Sequence, residues 1–232
     1  MVDVTVSAAE VAKFNALAAR WWDKTGPMRP LHAMNPARIG WILSHTDRRF
    51  PSPAGVRVLD VGCGAGLAAE ALFEHGFDVL GIDAAEDVIA AARAHAGPDG
   101  PSYRVAVAEE LLAEGARFPV ITALEVIEHV PDPAAFVRVL AGLLAPGGML
   151  FLSTLNRTKR SLLVAKLGAE YVLRLLPVGT HDWRRFITPV ELSRLVRDAG
   201  ARVTDTAGLS PGLGGWRTTR DLGVNYLLAA EV

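Results

Sequence analysis

The 232 residues include one cysteine, Cys63. No disulfide can close within the chain, a pattern that fits a reducing compartment. Neither sign of charge is in excess: 24 Lys and Arg against 25 Asp and Glu leave a formal net charge of −1. No global field favours nucleic acid, and none is expected as a partner. Runs of about 20 apolar residues are missing, which argues against a helical membrane span. The start, Met1-Val2-Asp3-Val4-Thr5, lacks the basic residues and apolar stretch of a secretory signal. These absences predict a cytoplasmic protein. Repeats and low-complexity linkers are also missing. What is present is enough chain for one large core and the 50% hydrophobic, 21% charged composition of an ordinary globular protein. A single domain over residues 1–232 is expected.

The pattern changes along the chain. Residues 1–55 read as a helical extension. Within it, 7–23 forms a helix with Ser7 and Glu10 spaced as a capping box and Val11, Phe14, Leu17 and Ala18 on one face. A Gly26-Pro27 and Pro30 loop follows, and Asn35-Pro36 opens a second helix to about 44. From residue 56, short apolar strands alternate with helices. Strands are expected at 56–61, 78–82, 103–107, 119–123 and 149–153, and helices at 66–75, 86–95 and 132–144. That alternation predicts an α/β fold, a doubly wound, mostly parallel sheet with helices on both faces. Ligands of such sheets sit at the carboxyl ends of strands, near the point where strand order reverses. A helical insert or lid is expected over 157–187. Thr188-Pro189 then starts another helix, 202–206 and 224–230 read as strands, and 208–215 reads as an irregular glycine-rich loop.

The strongest motif is Val58-Leu59-Asp60-Val61-Gly62-Cys63-Gly64-Ala65-Gly66, between a strand and a helix. Its glycines allow a tight turn and close approach of a ligand to the backbone. Asp83 ends the next strand, where a carboxylate can accept hydrogen bonds from a ribose diol. A nicotinamide fingerprint would place a third glycine at position 67, and the chain has Leu67 there. Cys63 reads as a small packing residue, since no base stands near it in sequence.

In this context the chain resembles the class I S-adenosylmethionine-dependent methyltransferases, which have a Rossmann-like sheet. The resemblance implies that Gly62 and Gly64 pack on the methionine part of that cofactor and that Asp83 holds its ribose. Asp60 would orient the loop or reach the cofactor's amino group through water. A narrower resemblance covers nearly the whole chain. Phe14-Asn15-Ala16-Leu17-Ala18-Ala19-Arg20-Trp21-Trp22-Asp23, Pro30-Leu31-His32-Ala33-Met34-Asn35-Pro36-Ala37-Arg38-Ile39, Ser153-Thr154-Leu155-Asn156-Arg157, Gly168-Ala169-Glu170-Tyr171, Gly179-Thr180-His181-Asp182-Trp183 and Asp221-Leu222-Gly223-Val224-Asn225-Tyr226 look like the ubiquinone biosynthesis O-methyltransferases. This implies cofactor contacts from Arg38, Gly62, Asp83 and Leu124, with Arg38 on the methionine carboxylate. By spacing alone, Arg38 reads as a surface arginine of a helix. Ala65, where many relatives carry glycine, and the 208–215 loop depart from the pattern.

The implied reaction is O-methylation of polyprenylated catechol-type phenols, 2-polyprenyl-6-hydroxyphenol and 3-demethylubiquinol. Methylation of another small hydroxyaromatic is the nearest alternative. A nicotinamide-dependent oxidoreductase and a non-catalytic cofactor-sensing subunit stand as readings of other classes. After the fourth strand comes Leu124-Glu125-Val126-Ile127-Glu128-His129-Val130. On a helical turn, Glu125, Glu128 and His129 would share a face. Such a face is a ligand set for a divalent cation such as Mg²⁺, or an acid–base group with no metal. The resemblance implies Mg²⁺. A phenol has a pKa near 10 and is mostly neutral at pH 7, so a cation or a base is needed to make its oxygen nucleophilic. His129 and Glu128 are the candidate bases, and His181 with Asp182 form a second candidate pair. The polyprenyl tail adds an expectation of peripheral attachment to the inner membrane and association with other enzymes of the pathway. Residues 161–176 fit that attachment: Lys166, Glu170 and Arg174 form one polar stripe on an otherwise apolar helix.

Overall fold

The computed structural model describes residues 6–163 and 183–232. One eight-stranded sheet organises them, in the order β3-β2-β1-β4-β5-β8-β6-β7. Its strands are β1 (Arg57–Val61), β2 (Asp78–Asp83), β3 (Ser102–Val105), β4 (Phe118–Leu124), β5 (Leu144–Leu155), β6 (Arg202–Gly212), β7 (Gly215–Thr219) and β8 (Asn225–Glu231). The first five are mutually parallel, while β8 runs antiparallel to both β5 and β6, and β7 antiparallel to β6. Strand order reverses between β1 and β4, which places a crevice at their carboxyl ends.

Both faces of the sheet are covered, and the period-two side-chain alternation divides the core. Val58, Val120, Phe151, Leu227 and Ala229 face one layer, with Ile42, Ala69, Leu72 and Val88 from α2 (Arg29–Arg49), α3 (Leu67–Glu74) and α4 (Glu86–Ala96). Leu59, Ile121, Leu150, Leu152, Leu228 and Ala230 face the other, with Leu111, Val137, Leu140, Leu192 and Val196 from α5 (Ala108–Ala113), α6 (Pro133–Leu143) and α8 (Pro189–Asp198). The Thr188 cap and Pro189 form as expected, with a reciprocal hydrogen-bond box to Glu191.

Several expectations need correction. The 7–23 helix is α1 (Ala8–Asn15) followed by a separate 3₁₀ turn at Ala18–Arg20, and Ser7 makes no side-chain cap. Glu10 does not complete a box because its carboxylate is engaged by His129. The second helix starts earlier than Asn35: Pro30 lies in the first turn of α2, where a missing N–H costs nothing, and Pro36 is carried inside the helix. The 208–215 segment is not irregular. Most of it belongs to the β6–β7 hairpin, whose Trp216 packs on the layer beneath. Helix α5 has no counterpart in the expected pattern. Of the insert, only α7 (Lys159–Leu162) and the 3₁₀ turn Trp183–Arg185 are described. His181, Asp182 and most of 161–176 lie outside the described residues.

Candidate active site

Strand β1 delivers the chain to Gly62, Gly64 and Gly66, all at positive φ (66°, 56° and 93°). All three are closely covered, Gly66 by the Tyr103 hydroxyl. A Cβ on Gly62 would lie 2.5 Å from Val126, and one on Gly64 would lie 2.2 Å from the Trp21 ring. A side chain at either position would displace its neighbour. Asp83, at the end of β2, ties the loop down: Oδ2 accepts the Gly64 N–H at 3.1 Å and Oδ1 accepts the Ala85 N–H at 2.9 Å. Burial pushes its carboxyl above the usual range, opposed by those two donors. Gly62, Gly64, Asp83 and Leu124 line one cavity of about 150 Å³ at the carboxyl ends of β1, β2 and β4. Glu10, Val11, Phe14 and Trp21 form another part of its wall, so the N-terminal extension belongs to the site.

Arg38 is not a surface residue. It lies on α2 with 3% of its area exposed, held by Asn35 Oδ1 at 3.3 Å and by Glu125 Oε1 at 3.9 Å. Burial disfavours its charge. Its Nε has no partner. Asp60 is equally deep; Thr122 Oγ1 donates to its Oδ1 at 2.6 Å, and Oδ2 has no partner. Burial raises the Asp60 carboxyl to about 6, with the Thr122 bond working against it. Arg38, Asp60, Trp21 and Leu124 surround a void of about 40 Å³ beside the glycine loop, and Trp21 Nε1 is a third buried atom without a partner. Buried polar groups are normally satisfied. The three unpartnered atoms, on a cation, an anion and a donor, belong to residues that line the same void. The thiol of Cys63 is buried and pushed up, mainly by desolvation, as a packing residue's would be.

The expected helical face at 125–129 does not form. Glu125 sits at φ 59°, the left-handed region, and only Ile127–His129 make a 3₁₀ turn. Its side chain accepts from Ser153 Oγ at 2.8 Å, and its N–H bonds back to Ser153. Glu128 is buried and accepts from Thr154 Oγ1 at 2.9 Å. Burial, helped by the charge of Glu125, holds the Glu128 carboxyl well above its usual range. His129 turns elsewhere: its Nδ1 donates to Glu10 Oε2 at 2.9 Å, and Phe14 meets the ring edge-on at 5.1 Å between centroids. The three side chains are brought near one another, yet each is engaged by a different partner. Among the described residues no group of three His, Cys, Asp or Glu is arranged to hold a metal ion.

Glu10 is the functional candidate that sequence reasoning missed. Its carboxyl is held down to about 2, chiefly by the hydrogen bond from His129. Lys13 and Arg185 stand at 3.5 and 3.7 Å. The available signal was its place beside the family-like segment that starts at Phe14.

The profile of a family described as "Methyltransferase domain" matches residues 36–206. The ubiquinone biosynthesis O-methyltransferase of Methylobacterium sp. (strain 4-46) is 45% identical over 238 residues, spanning 98% of this chain and 96% of that protein. Its namesake from Thiobacillus denitrificans (strain ATCC 25259 / T1) is 47% identical over 231 residues, spanning 97% of each. The magnesium protoporphyrin IX methyltransferase of Synechocystis PCC 6803, solved with bound SAH, superposes with a TM-score of 0.70 over 97% of this chain and 98% of its own. At 18% identity, that likeness speaks for the fold.

Proposed function

The chain belongs to the ubiquinone biosynthesis O-methyltransferase family, and from that premise we propose that it moves a methyl group from S-adenosylmethionine to a hydroxyl of a polyprenylated catechol-type phenol. The family implies two such acceptors, 2-polyprenyl-6-hydroxyphenol and 3-demethylubiquinol. The observation that carries the cofactor half is the pair of open buried atoms, Arg38 Nε and Asp60 Oδ2, around one void. A methionine carboxylate suits the first and its ammonium the second. Gly62 and Gly64 line the cavity beneath Val126 and Trp21, Leu124 supplies an apolar contact, and the Asp83 carboxylate is the acceptor for the ribose hydroxyls.

Bound there, the cofactor supplies a sulfonium-activated methyl group. The protein's own work is to place the phenol oxygen in line with it and to take the phenol proton. His129 lines the cavity and is the candidate base. Glu128 is a weaker one, since it is buried behind Thr154. His181 remains a candidate only by sequence. Val11, Phe14, Val126 and Val130 give the cavity an apolar lining suited to an aromatic ring with an alkyl tail. Mg²⁺, implied by the resemblance, does not fit the donors as they stand. Among the described residues Glu125, Glu128 and His129 are not gathered around one point that could hold a metal ion, and no step is routed through a metal.

Calorimetric titration is expected to show saturable binding of S-adenosylmethionine and none of NADH. Mass spectrometry of cells lacking the protein is expected to show accumulated hydroxyphenol and demethylated quinone, cleared by the wild-type chain. A normal quinone profile in those cells would overturn the substrate assignment.

Peripheral membrane attachment through 161–176 belongs to the same proposal. No helix among the described residues is long and apolar enough to cross a membrane. At the described base of the insert, Leu163 is exposed while Arg157 and Arg160 pair with Glu191 and Asp221. Co-sedimentation with anionic liposomes at low salt is expected for the wild type. A folded variant with Leu162, Leu163 and Leu167 changed to Ser should stay in solution, and equal binding by both would rule out the insert as anchor.

A further inference from the structure

Asn35 and Arg38 stand one turn apart on α2, so their side chains share a face. Both are buried. Asn35 uses the two ends of its amide differently. Its Nδ2 donates to the Leu67 carbonyl at 2.7 Å, and its Oδ1 accepts from Arg38 Nη2 at 3.3 Å. A guanidinium only donates and a carbonyl only accepts, so these partners leave the amide one orientation. Leu67 opens α3, directly after Gly66. One side chain therefore joins the guanidinium of α2 to the end of the glycine loop, 32 residues on.

We infer that Asn35 is a positioning residue for cofactor binding, aiming the Arg38 guanidinium so that it meets the methionine carboxylate beside the glycine loop. This rests on the function proposed above, which gives Arg38 that carboxylate. A free arginine side chain must give up rotamer freedom before it can pair with a carboxylate. Here the fold has already removed it. Nη2 is held by Asn35 and by the Leu31 carbonyl at 3.5 Å, Nη1 faces Glu125 at 3.9 Å, and Nε is left without a partner. Binding then begins from an ordered guanidinium, and less freedom is lost when the ligand arrives.

The two duties call for an amide. Aspartate would accept from Arg38, but it has no hydrogen for Leu67, and its own charge would compete with the ligand for the guanidinium. Leucine would fill the space and do neither. The position also bounds the void. Leu67 lines both the void beside Arg38 and an outer groove, and Asn35 lines that groove with Trp22, His32 and Glu70. Asn35 thus stands between the guanidinium and the groove, where it limits the water that would weaken a charge pair.

The test compares two ligands that differ by one group. S-adenosylmethionine and decarboxylated S-adenosylmethionine share the adenosine, the sulfonium and the ammonium, and only the first has the carboxylate. Both are titrated calorimetrically into the full-length wild type, Asn35→Leu, Arg38→Met and the double variant, the weaker ligand by displacement of the stronger. Asn35→Leu is expected to weaken S-adenosylmethionine about tenfold and the decarboxylated ligand by less than about twofold. In the Arg38→Met background, Asn35→Leu should change S-adenosylmethionine affinity by less than about twofold, because the group it acts through is gone. A residue that merely fastens α2 to α3 would weaken both ligands alike and add its effect to that of Arg38→Met. Either result overturns the inference, as does unchanged affinity in Asn35→Leu. Should Asn35→Leu fail to fold, judged by circular dichroism, Asn35→Ala carries the same comparison. A wild type that binds both ligands equally would overturn the carboxylate assignment of Arg38, and this inference with it. One that binds neither would overturn the proposed function.

Discussion

The two sides of the cavity treat their buried polar atoms in opposite ways. On the side of β1 and α2, Arg38 Nε, Asp60 Oδ2 and Trp21 Nε1 are buried without partners. On the side of the turn after β4, the Glu125, Glu128 and His129 side chains all have one, in Ser153, Thr154 and Glu10. An unsatisfied buried group costs about 1–3 kcal/mol, more when charged. Three of them, in residues that line one void, leave hydrogen-bonding capacity that a ligand could take up. The first side thus has polar atoms unpaired, and the second has its side chains paired.

The contrast can be broken most sharply at Arg38. Arg38→Met keeps much of the volume and removes the charge. S-adenosylmethionine affinity is expected to fall about 100-fold, while the melting temperature of the cofactor-free protein holds or rises, because an incompletely paired buried guanidinium is gone. Calorimetry and thermal melts decide it; a melt lowered by several degrees would make Arg38 a structural residue and erase the distinction between the sides. A smaller effect is expected at Asp83, which combines a structural bond to Gly64 with the proposed ribose contact. Asp83→Ala should weaken the cofactor by at least about tenfold, and unchanged affinity by titration would remove Asp83 from the site. The smallest effect is expected on the satisfied side. Mg²⁺ titrated into the cofactor-free protein should show no site tighter than about 1 mM, because the three donors are not arranged around a common point. A micromolar site would show that Glu125, Glu128 and His129 regroup around a cation, and the two sides would then be alike.

The same contrast explains what the sequence disclosed. The glycine loop, Asp83 and the alternating strands and helices are local patterns, written within a few residues, and the structure brings them together as expected. Arg38 looked like a surface residue because its burial comes from packing under residues far away in sequence. Glu10 looked like a helix cap because its true partner is 119 positions on. The helical face at 125–129 failed for a local reason that composition hides: Glu125 adopts a backbone conformation more natural to glycine. The 208–215 glycines read as irregular because pairing with β7 and packing of Trp216 are tertiary.

Residues 6–22 wall the cavity from outside the sheet, and side chains fasten them there. Trp22 Nε1 donates to Ala65 O at 2.9 Å, its ring stacks on His95 at 3.4 Å between centroids, and Asn15 accepts the Asp87 N–H at 3.1 Å. The strand ladders behind it are held by backbone hydrogen bonds, whereas this segment is held by side chains, so a substitution there alters the wall without unpairing the sheet. The residence time of a spent cofactor is then expected to depend on this strap and to change with substitutions at Trp22 and His95, which lie outside the cavity lining.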